Sequence, residues 1–250
     1  MSEAHSKKIR IDMLLLDRGL AESREKAKAL ILAGNVLVNG IVIDKPGALV
    51  RPEDDLSIKD RLPYVSRGGL KLAHALKEFN IDVNGKTAMD IGASTGGFTD
   101  CLLQHGAKKV YAIDVGYGQF EWSLRRSEKV FLMEKTNIRY LDRDMVPDEI
   151  DIAAVDVSFI SLLKVMPNIS GFLKTSGEVV ALIKPQFEAG RKDVGKGGVV
   201  RDEARRLEIV SMIKTEFENM GFDVLGTTTS PVKGPKGNVE YLIYSRKKQT

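Results

Sequence analysis

Apolar positions in the first sixty residues recur at helical spacing and then alternate. Ile11, Leu14 and Leu15 share one helical face, and Gly19 is a plausible stop. Ser23 can cap a second helix that turns Ala27, Leu30 and Ile31 inward and closes at Gly34. VLVNGIVI follows, two short β runs around Asn39-Gly40, a strong local signal for a hairpin. Leu56 to Ile58 adds a strand. Two small helices and a hairpin bury little, so 1–60 reads as a small α+β module. RLPYVS (61–66) carries a proline and reads as a linker, with Ser66 capping a helix that runs to Phe79. From 67 to 250 the pattern changes. Short apolar β runs at 87–92, 109–113, 129–132, 152–155, 178–183, 224–229 and 239–245 alternate with helical stretches after Gly97, at 161–173 and at 201–219. In the last helix, Leu207, Val210, Ile213 and Phe217 form an inward face. This alternation predicts an α/β, doubly wound (Rossmann-like) sheet. The turn-rich stretch between the final two runs predicts an antiparallel hairpin at one end.

Composition narrows the setting. The chain has 250 residues, 43% of them apolar and 29% charged, as expected of a soluble globular protein. The net charge of +4 permits a polyanionic partner without requiring one. Cys101 is the single cysteine, so no internal disulfide forms and a reducing compartment is expected. The amino terminus lacks the apolar core of a signal peptide, and no run approaches the roughly 20 apolar residues of a membrane span. The expected location is cytoplasmic, with no membrane partner.

The stretch TAMDIGASTGGFTDCLL (87–103) reads as a strand, a small-residue loop and a helix start. The loop Gly92-Ala93-Ser94-Thr95-Gly96-Gly97 lacks the G-x-G-x-x-G spacing of a dinucleotide site and the G-K-[ST] of a phosphate loop. What remains is Asp90 before the loop and Asp114 at the end of the next strand, placed to hold ribose hydroxyls. That is the pattern of S-adenosylmethionine binding in class I methyltransferases. The cofactor candidates are Asp90, Gly92, Ala93, Ser94, Gly96, Gly97, Phe98 and Asp114, with Asn137 for the adenine edge. No metal is called for.

The acceptor chemistry is read after the fourth strand, at Asp156-Val-Ser-Phe159. The paired prolines of base amino-methylating enzymes are missing there. Cys101 lies inside the helix after the glycine loop, so a thiolate attack on a pyrimidine carbon is rejected. Methylation of a hydroxyl remains, which needs a base held against the oxygen. Lys184 ends the apolar run VVALIKP, Lys71 lies in the helix before the sheet, and Glu240 stands at the last strand. Taken singly, such residues are more often surface charges or structural ion pairs.

Resemblance extends these readings. R-I-D, G, S-R-E-K-A and I-L-A-G-x-V-x-V-N-G, between Arg10 and Asp60, resemble the S4-like RNA-binding module. The resemblance implies contacts to structured RNA, and Arg10, Arg24, Lys26 and Lys28 are candidates for them. Y-V-S-R-G-G-L-K-L, D-I-G-A-S-T-G-G-F-T, V-D-V-S-F-I-S-L, L-I-K-P-Q-F-E and G-N-V-E-Y resemble, in that order, the TlyA family. Its members are ribosomal-RNA 2′-O-methyltransferases historically named hemolysins, with an FtsJ-like catalytic domain. The resemblance implies a catalytic tetrad of Lys71, Asp156, Lys184 and Glu240. Lys184 would deprotonate or orient the 2′-hydroxyl. Lys71 would favour its neutral amine and position the ribose. Asp156 would orient Lys184, and Glu240 would fix Lys71. It further implies ribosomal RNA or ribosomal subunits as partner and cytidine ribose as acceptor. Arg67, in the first motif, joins the RNA candidates. So do Arg191, Lys192 and Lys196 in the glycine-rich loop after Lys184, which reads as a phosphate-gripping lid or a plain connector. A non-catalytic ribosome-assembly factor is the rival reading; a membrane-lytic protein has no apolar segment to support it.

Overall fold

The computed structural model describes residues 8–58, 62–190, 194–195 and 197–249. The chain forms two compact units that part between Arg61 and Leu62. The first contains β1 (Ile9–Arg10), α1 (Ile11–Asp17), α2 (Arg24–Leu32), β2 (Val36–Val38), β3 (Ile41–Ile43), β4 (Leu49–Val50) and β5 (Leu56–Ile58). The Ser23 hydroxyl accepts from the Lys26 N–H and caps α2 as expected. Asn39 and Gly40 both take positive φ, 50° and 78°, and join β2 to β3 antiparallel. The strand order is β3-β2-β5, and β1 pairs separately with β4. Ile11, Leu15, Ala27, Ile31 and Val36 are fully buried at the centre of this unit.

The second unit contains α3 (Arg67–Glu78), β6 (Thr87–Ile91), α4 (Gly97–Gln104), β7 (Lys109–Ile113), α5 (Trp122–Arg125), β8 (Val130–Met133), β9 (Ile150–Val155), α6 (Met166–Phe172), β10 (Leu173–Ile183), α7 (Pro185–Glu188), α8 (Glu203–Asn219), β11 (Phe222–Thr229) and β12 (Tyr241–Lys247). Seven strands form one sheet in the order β11-β12-β10-β9-β6-β7-β8. The five strands from β8 to β10 are parallel, and β12 and β11 run antiparallel at one end. Both faces are covered. Along β9, Ala153 and Val155 pack into one apolar cluster with Phe172, Ile213 and Phe217. Ile152 and Ala154 pack into another with Leu72, Phe98 and Leu102. Burial on both faces is why these strands read as unbroken apolar runs.

Two local expectations are corrected. Leu207 is 52% exposed, and Ile209 takes its place in the core. Val210, Ile213 and Phe217 define the buried stripe, and at 100° per residue Ile209 lies nearer its centre than Leu207. Ser66 sits at the N-cap position of α3, but its hydroxyl makes no capping bond.

Candidate active site

Parallel strands end at one edge of the sheet, and the singled-out residues stand one step beyond those ends. Gly92 follows β6, Asp114 follows β7, Asp156 follows β9 and Lys184 follows β10. Glu240 immediately precedes antiparallel β12 and reaches the same edge, because Ile183 pairs with Tyr241. The carboxyl edge of such a sheet is where ligands bind.

Around the glycine loop the contacts are tight. Gly92 has φ +85°, and a Cβ there would overlap the Asp156 carbonyl. The loop therefore lies against the chain segment that carries Asp156. Asp114 accepts from the Ser94 N–H at 2.7 Å and the Gly116 N–H at 2.6 Å, which fixes its carboxylate at the strand end. Asp90 is wholly buried and accepts from the Thr99 N–H (2.8 Å) and hydroxyl (2.6 Å), tying β6 to the first turn of α4. Burial pushes its carboxyl up to about 7, against those two bonds. Burial likewise pushes the Cys101 thiol up to about 12, which agrees with its rejection as a nucleophile.

Two cavities meet at this edge. The larger, about 530 Å³, is lined by Gly92, Ser94, Asp114, Asn137, Asp156 and Ser158, among others. The smaller, about 230 Å³, is lined by Ala93, Gly97, Phe98, Lys71, Asp156 and neighbouring residues. Gly96 lies in neither wall; it is the N-cap of α4, with φ +94°.

Lys71, Asp156, Lys184 and Glu240 come together as a chain of alternating charge. Lys184 Nζ is 2.5 Å from Asp156 Oδ1, and Lys71 Nζ is 3.8 Å from Asp156 Oδ2. Lys71 Nζ donates to Glu240 Oε2 at 2.6 Å. Lys71, Lys184 and Glu240 are buried, at 9%, 7% and 1% exposure. Asp156 thus bridges the two lysines by opposite oxygens. Ser158, which the sequence reading left without a role, accepts from Lys184 Nζ at 2.8 Å.

The RNA candidates are scattered. Arg10 donates to Asp12 at 2.9 and 2.8 Å, and Arg24 at 3.2 Å. Asp12 is fully buried, while each arginine side chain remains 45% exposed. Lys26 pairs with Glu22, and Lys28 lies half-buried on α2. Arg67 is exposed in the wall of the smaller cavity. Arg191, Lys192 and Lys196 lie outside the described residues. Asp12 was legible only as the acid of R-I-D.

Comparison with known proteins agrees with this architecture. The FtsJ-like methyltransferase profile matches residues 64–247, and the S4 domain profile matches residues 9–56. The chain is 42% identical over 243 residues to the 16S/23S rRNA (cytidine-2′-O)-methyltransferase TlyA of Mycobacterium tuberculosis, covering 96% of this chain and 91% of that one. It is 46% identical over 237 residues to Hemolysin A of Brachyspira hyodysenteriae, covering 94% and 99%. The structure of a presumptive hemolysin from Streptococcus thermophilus superposes with a TM-score of 0.76 at 44% identity, covering 98% of this chain and 90% of that one. The chain belongs to the TlyA family of FtsJ-like methyltransferases.

Proposed function

We propose that this protein methylates the 2′-hydroxyl of a cytidine ribose in ribosomal RNA, using S-adenosylmethionine. The observation that carries the reading is the quartet Lys71–Asp156–Lys184–Glu240, three of its members buried, beside a cofactor-sized cavity. A cavity of about 530 Å³ falls within the roughly 300–1,000 Å³ of small-ligand sites. Asp114 and Asn137 in its wall suit a ribose diol and an adenine edge, and Gly92 leaves the backbone bare where a Cβ would not fit. When bound there, S-adenosylmethionine supplies an electrophilic methyl group.

The acceptor side belongs to Lys184. An ammonium carries three hydrogens. Ser158 accepts one of them and Asp156 stands against Nζ as an ion pair, which leaves Nζ able to meet a substrate hydroxyl. As the amine, Nζ takes the hydroxyl proton while Asp156 and Ser158 keep it aimed. Lys71 draws on the same carboxylate and Glu240 holds Lys71, so the negative charge of Asp156 is shared between two cations. Burial of the group excludes water that would compete for the proton. The S4-like unit supplies the grip on RNA. Asp12 fixes the inner edges of Arg10 and Arg24, and their exposed edges are free for phosphate. The ribosomal-RNA substrate named for the mycobacterial relative supports the acceptor.

Methyl transfer into ribosomal subunits from cells lacking the protein tests the assignment. Lys184→Ala loses about 10²–10⁴-fold in turnover with S-adenosylmethionine affinity intact. Lys184→Arg is nearly as damaging, because guanidinium does not give up its proton. Asp114→Ala instead weakens cofactor binding by about tenfold, the loss of one charged hydrogen-bond partner. Near-normal turnover by Lys184→Arg would remove Lys184 from the role of base.

A further inference from the structure

The motif L-I-K-P-Q-F-E ends on an acid that has no part in the quartet. Helix α7 follows Lys184 directly, and its last two residues, Phe187 and Glu188, both meet the loop that follows β9. Glu188 Oε1 accepts from the Leu162 N–H at 2.8 Å. The Phe187 and Phe159 ring centroids lie 5.1 Å apart. Burial raises the Glu188 carboxyl, against hydrogen bonds from Ser161 and Leu162. A carboxyl keeps an acceptor oxygen in either protonation state. The loop it meets carries Asp156 and Ser158, which stand 2.5 and 2.8 Å from Lys184 Nζ. Ser158 and Phe159 are nevertheless exposed, Phe159 at 90%. Phe159 also takes φ +63°, a left-handed conformation that is costly for a bulky residue. Such a conformation persists only where its surroundings impose it, and exposed side chains supply little of that constraint. The ends of the loop supply it. At one end the Asp156 N–H donates to the Ile91 carbonyl at 2.9 Å. At the other, Leu162 opens a short 3-10 turn (Leu162–Lys164), and Glu188 takes its N–H.

We infer that Glu188 is a positioning residue for the reaction: by holding Leu162 it sets the place of Ser158, and through Ser158 the aim of Lys184. The inference rests on the 2′-O-methylation reading and extends it to a side chain that touches no reacting atom. Asp156 serves Lys71 as well as Lys184, and an ion pair by itself constrains direction weakly. The Ser158 hydroxyl adds a directional bond from a second side, and the two together fix where Nζ points. That bond is only as steady as the exposed loop that carries Ser158. Lys184 and Glu188 bracket one short helix, and Pro185 at its first position fixes the backbone there. The base and the clamp on its guide therefore move as one piece. A base must meet its proton at hydrogen-bond distance, and a displacement of about 1 Å can cost about 10²-fold in rate.

Full-length Glu188→Met, Glu188→Gln and Ser158→Ala proteins, and the double variant Glu188→Met with Ser158→Ala, are assayed for methyl transfer into ribosomal subunits from cells lacking the protein. S-adenosylmethionine affinity is measured by calorimetry. Methionine keeps the bulk of glutamate and loses its acceptor oxygens, whereas glutamine keeps one such oxygen without the charge. Glu188→Met is expected to lower kcat by roughly ten- to a hundredfold, with KM for subunits within about threefold. Cofactor affinity should stay within about threefold, because Asp114 and the glycine loop stand at the ends of other strands. Glu188→Gln should recover most of the lost kcat. Ser158→Ala should show a similar loss, and the double variant should lose no more than the larger single loss. An unchanged kcat in Glu188→Met, equal damage from Gln and Met, or losses that multiply in the double variant would each overturn the inference. A Glu188→Met chain that no longer binds S-adenosylmethionine would overturn it too, by making Glu188 a residue of the fold. Lys184→Ala keeps the readings apart: if it abolishes transfer while Glu188→Met leaves kcat unchanged, the base stands and only the positioning role fails.

Discussion

Asp12 is fully enclosed and still charged. Hydrogen bonds from Arg10 hold its carboxyl down to about 2, against burial, with Arg24 adding to them. A carboxyl whose folded pKa lies below its unfolded value of roughly 4 adds stability that is complete above that value and lost as pH falls toward 2. The arginines are half-exposed, so the contribution is about 1–2 kcal/mol after screening. Asp90 has the opposite sign. Its raised carboxyl contributes most below its unfolded value, and that contribution is lost as pH rises through about 7. Hydrogen exchange across pH should therefore show α1 and α2 loosening as pH falls from about 4 to 2, and the start of α4 loosening as pH rises from about 4 to 7. Asp12→Asn should remove the first dependence and Asp90→Asn the second. Unaltered profiles in both variants would contradict these assignments.

At the scale of elements, the connection from β11 to β12 holds one end of the quartet. Glu240 accepts its place there: its carbonyl takes the Ser230 N–H at 2.9 Å, and a Cβ on Gly234 would overlap its carboxylate. Asn238, 4% exposed, donates to the Gly198 carbonyl at 3.0 Å and the Pro235 carbonyl at 3.1 Å. It fastens the segment before α8 to the loop that carries Glu240. Asn238→Ala leaves the buried Val200 N–H without the bond it donates to Asn238 Oδ1 (3.4 Å), at about 1–3 kcal/mol, and should lower turnover by letting Glu240 drift from Lys71. In a Glu240→Gln background the same change should cost no further turnover. Additive losses would show that Asn238 acts on stability alone.

The same elements show what was legible beforehand. Strands buried on both faces announced themselves as apolar runs, and residues one step past their ends could be singled out with no partner known. Asp114 and Lys184 were found that way. Ser158 and Asn238 were not, because their roles depend on loops that meet only in the fold: Lys184 bonds Ser158 across 26 positions and Asn238 bonds Gly198 across 40. Spacing alone did not pair the four quartet residues; the family resemblance did. Helices α5 and α7 span four residues each, too few for a periodic signal. Strands β1 and β4 span two each and escaped for the same reason.

For the whole molecule, the proposal divides labour between an S4-like unit that holds RNA and an FtsJ-like unit that carries the reaction. No helix among the described residues is long and apolar enough to cross a membrane. The direct measurement is a map of 2′-O-methyl groups on the 16S and 23S ribosomal RNA of cells lacking this protein, complemented in turn with the full chain, with Lys184→Ala and with residues 62–250. The expected result is at least one cytidine 2′-O-methyl that returns with the full chain, stays absent with Lys184→Ala and is largely absent with residues 62–250. A map that is the same with and without the protein, or fully restored by Lys184→Ala, would contradict the account.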